Sequence, residues 1–131
     1  MVKGLTVYIE KPYQLVFKEE KIDPILDHEM RCSTILSTIS PGTEVSAYKG
    51  LPHLRPGVKY PRLVGYLNVA KIEEVGSKIR EYNVGDIILS FTSHRSHFKI
   101  SEKEQIIKLP YLENYSEVSL TYIYHLGYKA I

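Results

Sequence analysis

The chain contains one cysteine, no tryptophan and almost no charge imbalance, with 17 Lys and Arg against 15 Asp and Glu. A single thiol, Cys32, excludes an internal disulfide framework and leaves a zinc ribbon without ligands. Cys32 lies in an apolar stretch and reads as a small core residue rather than a nucleophile. A formal charge of +2 sets no strong field, which points away from nucleic acid and from acidic membrane surfaces. Basic residues are interspersed with acidic ones in Lys18-Glu19-Glu20-Lys21 and Glu102-Lys103-Glu104, the pattern of solvated surface. No apolar run approaches the length of a membrane span, and Met1-Val2-Lys3-Gly4 opens no signal-like apolar region. A cytoplasmic location is the expectation. There is no internal repeat and no low-complexity tract.

What the chain does have is length enough for one unstapled core, at 131 residues and 44% hydrophobic composition. It is also rich in tyrosine, with eleven Tyr against three Phe. Tyr packs as an aromatic but seeks a partner for its hydroxyl, so it suits half-buried strands and surfaces that become covered.

Most of the chain punctuates itself as short strands and turns. Residues 5–10 are β-branched and aromatic, Lys11-Pro12 interrupts them, and residues 13–17 resume, which predicts a hairpin. Residues 21–27 contain Asp23-Pro24 and read as a loop. Residues 28–39 alternate, with Met30, Cys32, Thr34, Leu36 and Thr38 on one face. Ser40-Pro41-Gly42-Thr43-Glu44 is a tight turn in which Thr43 can cap a short helix over 44–48, ended by Gly50. Residues 50–62 form a breaker-rich loop. Residues 63–75 read as one apolar strand, followed by turns at Gly76-Ser77 and at 83–86. Strands at 87–91, 97–100 and 106–109 complete a series spaced like a barrel or sandwich.

The pattern changes after Pro110. Residues 116–131 suit a single helix capped by Ser116, with apolar residues around almost its whole circumference. Such a helix should be buried. The expected division is therefore a β-barrel domain over 1–112 and a C-terminal helix over 113–131.

Three segments carry a specific resemblance. Ser40-Pro41-Gly42-Thr43-Glu44 with Tyr48-Lys49-Gly50 is similar to the turn C-G-[ST]-[DE] followed by Y-x-G. Residues 60–77, from Tyr60-Pro61-Arg62-Leu63-Val64-Gly65-Tyr66 to Val75-Gly76-Ser77, resemble P-x-x-x-G-H-E…G-x-V-x-x-V-G. Tyr82-Asn83-Val84-Gly85-Asp86-Ile87-Ile88 resembles F-x-V-G-D-R-V. In this order they resemble the GroES-like substrate domain of medium-chain dehydrogenase/reductases, and the likeness extends through His97-Phe98-Lys99-Ile100 to Leu109-Pro110. The resemblance implies a mainly β fold, a partly open barrel with short helices and a C-terminal helix. It also implies a Rossmann domain beyond it, into which residues 113–131 would lead. No strand followed by G-x-G-x-x-G occurs in this chain. The zinc pattern departs as well: Pro41 stands where zinc-dependent members have Cys, and Tyr66-Leu67 where they have His-Glu. The likeness is closest to zinc-independent members with the S-P-G-T-E turn, such as bacteriochlorophyllide dehydrogenase-like oxidoreductases.

On this resemblance Thr43 relays a substrate proton, or serves only as a helix cap. Glu44 matches an acidic residue beside the metal; without metal it pairs with a nearby Arg or Lys or favours the helix N-terminus. Tyr66 would donate a hydrogen bond to a substrate oxygen, or simply pack. Tyr48 and His94 would contact substrate, although His94 and His97 also read as surface-loop residues. The loop carrying His53, Arg55 and Lys59 would border the cleft. No cofactor or metal is expected on this chain alone; NAD or NADP would arrive on a partner Rossmann chain, or on the remainder of a longer protein, and a small molecule would be the substrate. The competing expectations are a non-catalytic GroES-like module forming a homo-oligomer through its C-terminal helix, and a truncated, inactive product.

Overall fold

The computed structural model describes residues 1–52 and 57–130. Its framework is two antiparallel sheets. β1 (Val2–Lys11) and β2 (Gln14–Ile22) form the expected hairpin, with the register running from Val2 opposite Ile22 to Lys11 opposite Gln14. β4 (Arg62–Leu63) joins the other side of β1, giving the order β2-β1-β4. The larger sheet contains β3 (Glu29–Ser37), β5 (Asn68–Val75), β6 (Ile87–Ser90), β7 (His97–Ser101) and β8 (Ile106–Leu109), in the order β7-β3-β5-β6-β8. Neither sheet closes on itself, so the molecule is mainly β and partly open, as expected.

The two sheets are laced together by residues 92–96. Val7 N–H donates to the His94 carbonyl at 3.0 Å, and Ser96 N–H to the Leu5 carbonyl at 2.8 Å. On the other side, Thr34 N–H donates to the Ser96 carbonyl at 2.8 Å. The Thr34 hydroxyl donates to the Arg95 carbonyl, and the fully buried Asn68 amide donates to Thr34 Oγ1 at 2.9 Å. These bonds satisfy backbone groups that would otherwise be stranded between sheets.

Strand alternation places the core. Register brings Met30 opposite Ile100, Cys32 opposite both Phe98 and Ile72, and Ala70 opposite Ile88. All of these are buried and pack with Ile79 in one cluster. A second cluster of Val69, Ile87, Leu89 and Tyr115 lies beneath α2 (Ser116–Ser119). A third, of Ile9, Ala47 and Val64, joins α1 (Pro41–Lys49) to β1. Each fully buried aliphatic side chain contributes about 1.5–3 kcal/mol relative to exposure.

Several expectations need correction. The run 63–75 is two strands in different sheets, because Gly65 adopts φ +92 and turns the chain from β4 toward β5. β2 continues to Ile22, two residues into the expected loop. The α1 helix starts at Pro41, with Ser40 rather than Thr43 in the cap position. Proline at the first helical position costs nothing, since that N–H has no intrahelical partner. The C-terminal segment breaks at Leu120 into α2 and α3 (Thr121–Ala130). Tyr115, not Ser116, occupies the α2 cap, and Asn114 Oδ1 accepts the Ser116 N–H at 2.8 Å. No residue of α3 is buried, against the expectation for an all-apolar helix, and Tyr124, Leu126 and Tyr128 face solvent. Ile131 lies outside the described residues.

Cys32 has no exposed surface, and burial pushes its thiol up to about 12. The raised value means that the thiolate is disfavoured in the folded chain. Folding stability therefore falls as pH rises above the unfolded thiol value of 9.0. Iodoacetamide at neutral pH is expected to leave the native chain unmodified and to alkylate Cys32 only after denaturation; rapid native labelling would contradict this packing.

Candidate functional site

The S-P-G-T-E turn becomes the first turn of α1, and its backbone shows why it holds. Glu44 N–H donates to the Ser40 carbonyl at 3.0 Å, and the Glu44 carboxylate reaches back to accept the Ser40 N–H. This return bond satisfies a donor that the helix start leaves free. It also places a carboxylate in the first turn, where the helix dipole favours it. Thr43, one residue earlier, is exposed, and its side chain makes no capping bond.

Glu44 does more than finish a helix. Its other oxygen, Oε1, is bonded to His94 Nε2, while His94 Nδ1 is bonded to the Ser37 hydroxyl. Glu44 and His94 are both largely shielded, with side-chain exposures of 8% and 14%. Glu44 was expected to find a Lys or Arg; its partner is a histidine. His94 was expected to contact substrate or to lie on a surface loop; its ring is half-buried and joins Glu44 to Ser37. His94 Nε2 faces the Glu44 carboxylate, and the Ser37 hydroxyl both contacts His94 Nδ1 and donates to the Leu67 carbonyl at 3.2 Å. The same Leu67 carbonyl also accepts the Thr38 N–H at 3.0 Å. Both ring nitrogens are thus engaged, and neither is free to ligate a metal.

Gly65 makes room for this ring. A Cβ at that position would lie 2.5 Å from His94 Cδ2 and Nε2, closer than any real contact allows. The His94 N–H donates to the Val64 carbonyl at 2.9 Å, so residue 64 grips the backbone while residue 65 receives the imidazole. The signal in the sequence was the glycine, but nothing local connects it to a histidine 29 positions away.

Tyr66 follows directly and is half-buried. Its ring meets Tyr122 of α3 edge-on, with centroids 6.1 Å apart, and Phe91 meets the same Tyr122 at 5.1 Å. Such edge-to-face pairs contribute about 0.5–1.5 kcal/mol beyond burial. Tyr122 is the aromatic by which α3 rests on Tyr66 and Phe91.

Tyr48 has a structural partner. Its hydroxyl donates to the Tyr13 carbonyl at 3.1 Å, its own carbonyl accepts the Tyr13 N–H at 2.8 Å, and the two rings meet edge-on. These contacts hold Tyr13 at φ +66, a region that non-glycine residues seldom enter. His53 and Arg55 lie outside the described residues. Lys59 is exposed.

A cleft of about 480 Å³ opens beside this cluster. Leu63, Gly65 and Phe91 form part of its wall, and Thr92, Ser93 and Arg95 another part. Phe91, Ser93 and Arg95 are site features that the sequence reading did not select. Both sheets are wholly antiparallel, so the described residues contain no βαβ unit of the kind that cradles a dinucleotide pyrophosphate.

No protein-family model matches the chain, and comparison with curated proteins finds no match. Solved structures do share its fold. The mitochondrial 2-enoyl thioester reductase Etr1p/Etr2p heterodimer from Candida tropicalis is 22% identical, with a TM-score of 0.69 over 84% of this chain and 34% of that one. The complex of Etr1p with NADP and crotonyl-CoA is 21% identical, with a TM-score of 0.69 over the same shares. The quinone oxidoreductase from Coxiella burnetii is 15% identical, with a TM-score of 0.63 over 86% of this chain and 40% of that one. The chain thus spans between a third and two fifths of the length of these proteins.

Gly65→Ala is expected to expel the His94 ring and strain the backbone at once, lowering stability by about 2 kcal/mol or more. Urea denaturation checks this. A variant as stable as the parent would show that the ring is not seated against Gly65.

Proposed function

We propose that this chain is the substrate-side half of a zinc-independent, NAD(P)-dependent oxidoreductase of the medium-chain dehydrogenase/reductase type. The observation that carries the reading is the fold match over 84% of the chain to about a third of a reductase solved with NADP and crotonyl-CoA. The S-P-G-T-E and Y-x-G segments add to it. The nicotinamide, bound by a Rossmann unit on a partner chain or on the remainder of a longer protein, supplies the hydride.

Within this reading the residues of the chain bind and orient a small substrate. The Tyr66 hydroxyl donates a hydrogen bond to the substrate oxygen on which charge develops, the role that a metal fills in zinc-dependent relatives. The exposed Thr43 hydroxyl relays a proton at that oxygen. Glu44, fixed by Ser40 and His94, touches no substrate and holds the turn that presents Thr43. Tyr48 borders the site through the Tyr13 turn.

One observation favours a second reading, a binding module that self-associates. α3 is predominantly apolar yet has no buried residue, and a second copy could cover Tyr124, Leu126 and Tyr128. Light scattering separates the two: a stable closed oligomer of the chain alone supports the module.

Calorimetry of the chain alone is expected to show no binding of NAD or NADP, and clear binding of either would contradict the split-enzyme reading. In the chain completed by a nucleotide-binding unit, Tyr66→Phe and Thr43→Ala are each expected to lower kcat by about a hundredfold. Unchanged turnover in both would reject the proton route.

A further inference from the structure

Arg95 stands in the wall of the cleft with its charge unmatched at contact range. Its Nε and Nη2 donate to one acceptor, Ser93 Oγ, at 3.0 and 2.7 Å. Ser93 is itself buried and lines the same cleft, so the guanidinium is held by a fixed hydroxyl. Among the described residues no carboxylate forms an ion pair with Arg95, and its Nη1 has no hydrogen-bond partner. Its backbone is equally fixed, bridged to Thr6 and accepting the Thr34 hydroxyl.

Arg95 also borders a second cavity of about 230 Å³, shared with Glu20 and Asp23, neither of which forms an ion pair with it. Hydrogen bonds from Tyr8 and Thr6 hold the Glu20 carboxyl below the usual range, with a smaller contribution from the charge of Arg95, and each Glu20 oxygen is directed at one of those two hydroxyls rather than at the guanidinium. Lys99, also in the cleft wall, is engaged with Glu29 at 3.0 Å. Glu104 stands on an exposed turn and accepts the Ser101 N–H. Leu63 and Phe91 line the same cleft and supply apolar surface.

We propose that this cleft binds a small organic anion, a carboxylate with a short apolar tail, through the braced guanidinium of Arg95. Arginine suits the task because its planar fork meets a carboxylate with two parallel hydrogen bonds. The tail would lie along Leu63 and Phe91, beside Gly65. As a statement about substrate class this rests on the oxidoreductase reading, since it makes the substrate an acid. As a statement about binding it needs neither nucleotide nor partner.

The test is a titration of the isotopically labelled chain, followed through backbone amide resonances. Hexanoate is expected to give saturable shifts at Gly65, Phe91 and Ser93, with affinity at least tenfold greater than that of hexanol. Arg95→Gln should weaken hexanoate at least tenfold while leaving hexanol unchanged, and Arg95→Lys should retain part of the affinity. Equal affinity for hexanoate and hexanol, or an Arg95→Gln variant that binds like the parent, would overturn the proposal. So would inorganic phosphate binding as tightly as hexanoate, because the apolar wall would then contribute nothing. Hexanoate binding in a chain that never supports nicotinamide oxidation with any partner would refute the oxidoreductase reading and leave the anion site standing.

Discussion

His94 is fastened through both its backbone and its ring, and the elements around the site converge on it. Its carbonyl receives β1, its N–H reaches residue 64, its ring lies against Gly65, and its two nitrogens join α1 to β3. A carboxylate with so little exposure would carry a desolvation cost of several kcal/mol if left alone. The Glu44 carboxylate is not alone: Ser40 N–H and His94 complete its hydrogen bonds. The start of α1, and with it the exposed Thr43, takes its position from that satisfied pair. The same junction sets where Tyr66 leaves the segment between the sheets.

Much of the fold was legible in the sequence because it depends on neighbours along the chain. The hairpin, the alternating face of β3, the Asn83-Val84-Gly85-Asp86 turn and the core role of Cys32 all follow from local period and turn chemistry. What escaped were features decided at long range. Gly65 sits inside an apolar run that reads as one strand, and only the demand for room beside His94 shows why the chain turns there. Glu44 and His94 are 50 positions apart, so no spacing rule pairs them. The 92–96 segment looked like an ordinary loop, yet its backbone connects the two sheets.

The C-terminal segment illustrates the opposite error. Its composition was read as a demand for burial, but burial needs a surface to meet, and α3 has no fully buried residue, meeting the rings of Tyr66 and Phe91 through Tyr122. The Tyr-rich composition has a related meaning. Tyr48 and Tyr60 spend their hydroxyls on backbone carbonyls around α1, whereas Tyr111, Tyr124 and Tyr128 remain open to solvent. The site is thus built on a rigid inner junction and bordered by an aromatic element with little of its own to hold it.

The central claim is that the Glu44–His94 contact organises this region. A double-mutant cycle with Glu44→Gln, His94→Asn and the combined variant, followed by urea denaturation, measures it most directly. If the contact exists as described, the two substitutions are non-additive, with a coupling energy of about 1 kcal/mol or more. Additive losses would mean that the residues do not act on each other, and would contradict the account.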